Sequence, residues 1–153
     1  MNNHFMEQAL KYAKISYREG EVPVGAVIVR EGEIIAFGRN RREKKQNALL
    51  HAEIEAIGKA CKKIGYWRLC DCDIYVTLEP CPMCAGAMIN SRIKNIYIGA
   101  PDPKGGAAGS VLNLFDYPFN HKPVIWSGIL EDKCSGILKD FFKELRKKER
   151  KDV

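Results

Sequence analysis

The sequence is short of the features that secreted and membrane proteins need. Within its 153 residues no apolar run approaches the ~18 residues that span a bilayer, and the N-terminus is charged and amphipathic where a leader would be apolar. Six cysteines are a modest number for a disulfide scaffold, and thiols that bind metal require reducing surroundings. These absences predict a cytoplasmic protein with no membrane partner and no disulfides.

Internal repeats and low-complexity linkers are also missing, and proline is sparse, with seven residues. Because 46% of the residues are hydrophobic, the chain can bury one core of ordinary size. The sequence therefore predicts a single domain over residues 1–153.

Apolar spacing along the chain predicts alternating helices and strands. Strands are expected at 24–30, 33–39, 74–78, 93–99 and 123–127. Long helices are expected at 6–17 with a stop at Gly20, from His51 with an apolar stripe of Leu50, Ile54, Ile57 and Cys61, at 81–91, and along 134–145. Ser110 is the expected N-cap of a further short helix after the glycine-rich loop 105–109. This order predicts an α/β fold, a three-layer α/β/α sandwich around a mixed five-stranded sheet.

A His-x-Glu motif at His51 and a Pro-Cys-x-x-Cys motif at Cys81 and Cys84 are the most informative features of the chain. A helix opened by one of the neighbouring prolines presents both sulfurs on one face, about 60° apart. His51 and Glu53 converge on one centre only if His51 lies at the entry of its helix. One imidazole and two thiolates leave the fourth position of a tetrahedral zinc ion open, as in catalytic sites. We therefore predict zinc at His51, Cys81 and Cys84, with the free Glu53 carboxylate accepting a proton from water.

The same pattern is the established signature of zinc nucleobase deaminases, and the mechanism is taken from that class. The likeness goes further, because several segments resemble those of bacterial tRNA-specific adenosine deaminases: residues 23–27, 77–89 (TLEPCPMCAGAMI), 99–110 (GAPDPKGGAAGS), 128–130 and 134–142. The resemblance implies a cytidine-deaminase-like fold, one zinc ion per subunit, a homodimer and a tRNA anticodon stem-loop as partner. It implies conversion of the wobble adenosine to inosine, with Glu53 as general base and acid.

The resemblance also implies the residues that contact the substrate. They are Pro23, Val24 and Leu78 in the pocket wall, Asn40, Asp102 and Lys104. Asn40 matches the asparagine that hydrogen-bonds the extruded base, and Asp102 matches a contact to the nucleotide backbone. One departure is the segment 46–50, which reads Gln-Asn-Ala-Leu-Leu where the family commonly has Asp-Pro-Thr-Ala. It puts the local fit to the anticodon in question but leaves the metal ligands unaffected.

Positive charge is concentrated in two places. Residues 143–153 carry a net +3, half of the chain's +6, and a second cluster precedes His51, consisting of Arg39, Arg41, Arg42, Lys44 and Lys45. Such runs are commonly solvated surface, but the position beside the metal motif favours contact with a strand of nucleic acid.

The remaining cysteines and histidines permit other interpretations. Cys61 and Cys134 lie on apolar helix stripes and are expected in the core. Cys70 and Cys72 either flank a strand or supply a fourth metal ligand, which would displace the catalytic water. His121 is a candidate for the substrate surface. Two alternatives to the tRNA enzyme are a deaminase of a free base or nucleoside (guanine, cytosine or cytidine) and a noncatalytic zinc-stabilised nucleic-acid-binding module.

Overall fold

The computed structural model describes residues 3–152; Met1, Asn2 and Val153, which belong to the predicted domain, lie outside the described residues. The helices are α1 (His4–Arg18), α2 (Arg42–Lys45), α3 (Ala52–Ile64), α4 (Pro82–Asn90) and α5 (Glu131–Lys151). The strands are β1 (Gly25–Arg30), β2 (Glu33–Arg39), β3 (Cys72–Leu78), β4 (Asn95–Ala100) and β5 (Val124–Trp126).

Within residues 3–152 the strands form one sheet in the order β2-β1-β3-β4-β5. Strand β1 is antiparallel to β2 and β3, whereas β3, β4 and β5 run parallel. Glu31 and Gly32, at φ 51° and 78°, make the two-residue turn between β1 and β2. The predicted mixed five-stranded sheet is confirmed.

Helices cover both faces of the sheet, because successive side chains of a strand point to opposite sides. Ala26 and Ile28 belong to a core with residues of α3 and α4, whereas Val27 and Val29 belong to a second core with residues of α1 and α5. The predicted three-layer α/β/α sandwich is therefore confirmed. None of the helices in residues 3–152 has the length and apolar character to cross a membrane.

The buried face of α3 differs from the predicted stripe. Of that stripe only Ile57 is buried, and the fully buried positions of α3 are the small residues Ala52, Ala56 and Ala60. A Cβ atom at Gly38 of β2 would collide with the carbonyl oxygen of Ala52. The helix lies so close to the strand that alanine and glycine, and not larger apolar residues, fill the contact.

The predicted short helix capped by Ser110 is wrong. A 3-10 turn forms later, at Leu114–Asp116, where the side chain of Asn113 accepts a hydrogen bond from the amide of Phe115 at 3.1 Å. Ser110 is bonded to the distant Glu79 instead, and this tertiary contact prevents it from capping a helix. The four-residue helix α2 was not predicted.

Candidate active site

The predicted metal ligands lie at the starts of two helices. His51 is the N-cap of α3, with extended backbone angles (φ −79°, ψ 155°), and Cys81 is the N-cap of α4 (φ −72°, ψ 171°). Cys84 lies buried in the first turn of α4. The sequence predicted that His51 lies at the entry of its helix, since only there can His51 and Glu53 converge on one centre. This prediction is confirmed.

Three side chains converge to form a group that could hold a metal ion. The Nδ1 atom of His51 lies 3.5 Å from the Sγ atoms of Cys81 and Cys84. All three ligand atoms lie within 4.8 Å of one another. Cys70 and Cys72 do not join this group: Cys70 is exposed, and Cys72 begins β3, at the opposite end of that strand from Cys81.

Hydrogen bonds inside the group shift the pKa values of its members in opposite directions. The Cys84 thiol donates to Cys81, and this contact is the main cause that lowers the pKa of Cys81 to about 4. The same contact, together with burial, raises the pKa of Cys84. The hydrogen bond with Cys81 is also the main cause of the raised pKa of His51. A metal that binds both sulfurs must displace the proton of Cys84.

Glu53 is the buried carboxylate of the site. It is 4% exposed, and burial raises its pKa to about 7. A carboxyl group that titrates near neutral pH can both accept and return a proton, which is the requirement for general acid–base catalysis.

A pocket of about 170 Å³ opens onto these residues. Its walls are Val22, Val24, Asn40, Arg42, His51, Ala52, Glu53, Leu78, Glu79, Cys81 and Asp102. Four predicted contacts, Val24, Asn40, Leu78 and Asp102, are thus brought together at the metal group. Pro23 is buried and not among the lining residues, and Lys104 lines a neighbouring groove of about 670 Å³ that also contains Leu78 and Asp102.

Asn40 is held rigidly at the pocket wall. Its Nδ2 donates to the carbonyl of Val22 at 3.1 Å, its Oδ1 accepts from the amide of Arg42 at 3.2 Å, and Ser16 Oγ donates to its carbonyl at 2.8 Å. One Nδ2 hydrogen and one Oδ1 lone pair remain for a ligand. A base in the pocket would therefore meet a pre-oriented amide.

Glu79, which the sequence interpretation missed, anchors the loop on the opposite side of the pocket. Its carboxylate accepts hydrogen bonds from the amides of Asp102 (3.1 Å), Ala108 (2.9 Å) and Ser110 (3.1 Å), and from the Ser110 hydroxyl. Gly106 passes so near that a Cβ atom there would collide with the carboxylate. The available signal was an acidic residue between the strand residue Leu78 and the Pro-Cys motif. Val22 was likewise missed, and no short motif marks it. Arg42 belongs to the basic cluster that precedes His51, and Ala52 is the middle residue of the His-x-Glu motif.

The remaining candidates lie elsewhere. His121 Nε2 lies 2.6 Å from the carbonyl oxygen of Ile93, and neither residue lines the pocket. Cys134 is fully buried in the core as expected, whereas Cys61 is half-buried at its margin. The atypical segment 46–50 contacts the predicted metal ligand, since the His51 amide donates to the carbonyl of Leu49 at 2.9 Å.

Known proteins share both the sequence and the fold. Residues 1–146 match the MafB19-like deaminase family. The chain is 51% identical to the tRNA-specific adenosine deaminase of Bacillus subtilis (strain 168), over 95% of this chain and 91% of that protein. It is 46% identical to the tRNA-specific adenosine deaminase of Agrobacterium fabrum, over 94% of this chain and 95% of that protein.

A solved structure from a study of A-to-I editing by tRNA:A34 deaminases at the wobble position of transfer RNA superposes with a TM-score of 0.87. It is 45% identical and covers 90% of this chain and 100% of its own. A guanine deaminase from Bacillus subtilis is 36% identical, with a TM-score of 0.64 over 82% of this chain and 84% of its own. The sequence motifs, the site and these similarities agree, and this chain belongs to the MafB19-like deaminases and, among them, to the tRNA-specific adenosine deaminases.

Proposed function

We propose that this protein hydrolyses adenosine to inosine at the wobble position of a tRNA anticodon. The observation that carries the proposal is the group of His51, Cys81 and Cys84 beside the buried Glu53, at a pocket with room for a single base. The 51% identity to a protein named tRNA-specific adenosine deaminase supports the choice of substrate.

The geometry supports zinc as the metal. Zinc–sulfur bonds of about 2.3 Å and zinc–nitrogen bonds of about 2.0–2.1 Å, at tetrahedral angles, place sulfur about 3.6 Å from nitrogen. The two sulfur–nitrogen distances from His51 are 3.5 Å. Two thiolates and an imidazole also suit zinc by chemistry. Three protein ligands leave one position for water, so we propose one catalytic zinc ion per chain.

The buried carboxylate moves the protons of the reaction. When bound, zinc supplies a Lewis acid that lowers the pKa of a water molecule. Glu53 accepts a proton from that water and donates it to the ring nitrogen beside the target carbon, while the water oxygen bonds to carbon six. Glu53 then transfers the second water proton to the amino group, and the carbon–nitrogen bond breaks to release ammonia. Water and adenosine thus become inosine and ammonia, and the pKa of Glu53 near 7 matches both directions of transfer.

The pocket wall supports recognition of an unstacked base. Val24 and Leu78 offer apolar surface, and the fixed amide of Asn40 offers a donor and an acceptor. An anticodon loop presents bases that are already unpaired, which lowers the cost of extrusion. Asp102 and Lys104 line the adjoining groove, where the neighbouring nucleotides would lie.

The test is incubation of the purified zinc-loaded protein with an anticodon stem-loop that bears adenosine at the wobble position. We expect inosine after nuclease digestion and chromatography. Free adenosine, cytidine and guanine are assayed in parallel for ammonia release. Turnover of a free base with the stem-loop unchanged would establish the free-base enzyme, and no turnover of any substrate would indicate the noncatalytic zinc module.

We also propose a homodimer that works in the cytoplasm, where tRNA substrates occur. Exposed apolar side chains concentrate before and along β5, a feature typical of subunit interfaces: Val111 (58% exposed), Leu112, Tyr117 (57%), Phe119 and Trp126. Sedimentation equilibrium should give twice the 17.3 kDa chain mass, and Val111→Asp should shift the equilibrium towards the monomer. A wild-type protein that sediments as a monomer would contradict this proposal.

A further inference from the structure

The basic residues that precede His51 differ in what holds them. Three are tied to carboxylates: Arg39 to Glu19 at 3.0 Å, Lys44 to Glu19 at 3.4 Å, and Arg41 to Glu55 at 3.0 Å. Among residues 3–152, no carboxylate forms an ion pair with Arg42 or Lys45. Both are exposed residues of α2, but only Arg42 lines the pocket.

The backbone at Arg42 is fixed from two sides. The Asn40 side chain accepts a hydrogen bond from the Arg42 amide at 3.2 Å. The carboxylate of Glu21, which is 1% exposed, accepts hydrogen bonds from the amides of Glu43 at 3.0 Å and Lys44 at 2.8 Å. The amides at the start of this short helix are therefore already satisfied, so the Arg42 side chain is the part of α2 left to bind an anion at the pocket mouth. Because the backbone at Arg42 is already ordered, substrate binding does not have to supply the free energy of ordering it.

We infer that Arg42 is a further substrate-binding residue, whose guanidinium binds a phosphodiester flanking the target adenosine at the mouth of the pocket. The inference rests on the proposed function. A pocket of about 170 Å³ with a metal group in its wall accommodates the base and leaves the sugar and its phosphates at the mouth. A guanidinium forms two parallel hydrogen bonds to a phosphate, and it is always charged. A free base carries no phosphate, so Arg42 favours a polynucleotide over a free base.

The test compares Arg42→Ala with Lys62→Ala, which removes one positive charge from an exposed position of α3 outside the pocket. With the wobble-adenosine stem-loop, we expect Arg42→Ala to lower kcat/KM by ~10- to 100-fold. The slope of log affinity against log salt should become shallower by about 0.7 for this variant. Lys62→Ala should change kcat/KM by no more than about twofold. Equal effects of the two variants would overturn the inference in favour of a diffuse effect of net charge.

Chemically neutralised RNA tests the contact directly. Two stem-loops carry an uncharged methylphosphonate, one on the 5′ side and one on the 3′ side of the target adenosine. One of these RNAs should lower the kcat/KM of wild type by the same factor as Arg42→Ala lowers it with the unmodified stem-loop. The kcat/KM of Arg42→Ala should not fall further with that RNA. If each modified RNA lowers the kcat/KM of Arg42→Ala by the same factor as it lowers that of wild type, Arg42 binds neither phosphate.

The outcome separates the inference from the function on which it rests. Binding of the stem-loop is measured in a Glu53→Gln background, which is independent of turnover. If wild type deaminates only free bases, the proposed function fails. If wild type edits the stem-loop and Arg42→Ala edits and binds it equally well, the inference about Arg42 fails alone. Zinc content and thermal unfolding of each variant show that the fold is retained.

Discussion

Ser110 donates two hydrogen bonds to the carboxylate of Glu79, one from its amide at 3.1 Å and one from its hydroxyl group. Glu79 lies two residues before the proposed metal ligand Cys81, and Ser110 lies 31 residues further along the chain than Glu79. With the amides of Asp102 and Ala108, four donors meet the two carboxylate oxygens. One carboxylate thus connects the segment that carries Cys81 with the loop that carries Asp102 and Lys104.

Replacing Glu79 with Gln should loosen this loop. An amide has one acceptor oxygen, so its NH₂ group would face backbone donors and leave them unsatisfied, at about 1–3 kcal/mol. We expect KM for the stem-loop to rise ~10-fold, with a smaller change in kcat, because Asp102 and Lys104 are misplaced while the metal group remains. Hydrogen exchange of the amides in 102–110 should accelerate.

Glu33→Gln, an identical change at an exposed position, is the matched control and should alter none of these quantities. Unchanged hydrogen exchange in the Glu79→Gln loop would show that the carboxylate does not hold the loop.

The same carboxylate makes stability depend on pH. Burial acts to raise the pKa of Glu79, but hydrogen bonds from Ser110, Asp102 and Ala108 outweigh it and lower the pKa. Because the folded-state value lies below the unfolded one, Glu79 stabilises the fold above the unfolded pKa of about 4.3, and this stabilisation is lost as pH falls through the folded value. We expect the difference in free energy of unfolding between wild type and Glu79→Gln to shrink below about pH 4. Urea unfolding of both proteins at a series of pH values measures this difference. A difference that grows on acidification would contradict a lowered pKa of Glu79.

Glu53→Gln should abolish turnover without disrupting the site. The amide keeps the shape of the side chain but cannot accept the water proton, and we expect kcat to fall by at least about 10²–10⁴-fold. Zinc content, from atomic absorption, and affinity for the stem-loop should be retained. A variant that remains active would remove Glu53 from the catalytic role.

Metal removal should lower thermal stability together with activity. A ligand that binds only the folded state at 100 times its Kd contributes about 2.7 kcal/mol, so chelation should lower Tm by about 5–10 °C. Cys84→Ala should behave like the chelated protein and bind no zinc. The control is Cys70→Ala at an exposed cysteine outside the metal group, which should keep full zinc occupancy. Zinc loss in the control would indicate a ligand set different from the proposed one.

Gly38→Ala should displace the helix that carries His51 and Glu53. The added Cβ atom would collide with the backbone of Ala52 at the start of α3, and overpacking of this kind costs about 1–3 kcal/mol. Stability and kcat should both fall. Gly58→Ala is the control, because its Cβ meets nothing within 4 Å and the change favours the helix by about 0.5–1 kcal/mol. A Gly38→Ala variant as stable as wild type would mean that α3 can move away without loss.

The metal group could be predicted because its geometry is local. Cys81 and Cys84 share one helical turn, and the two-residue spacing of His51 and Glu53 is satisfied only at a helix entry, so few backbone arrangements bring each pair together. Alternating apolar residues likewise predicted β3 within two residues of its start. In both cases the determining interactions join residues that are neighbours in the chain.

The sequence by itself determined the three-layer α/β/α fold and indicated the group of His51, Cys81 and Cys84 beside Glu53, since helical and strand periodicity dictate which side chains share a face. Only the tertiary structure decided that Glu79 anchors the loop of Ser110, that Arg42 and not Pro23 lines the pocket, and that alanines form the contact face of α3. Glu79 and Ser110 are 31 residues apart, and the contact face of α3 depends on the closeness of two backbones at Gly38. Such distances follow from the packing of the whole chain, which no short motif encodes.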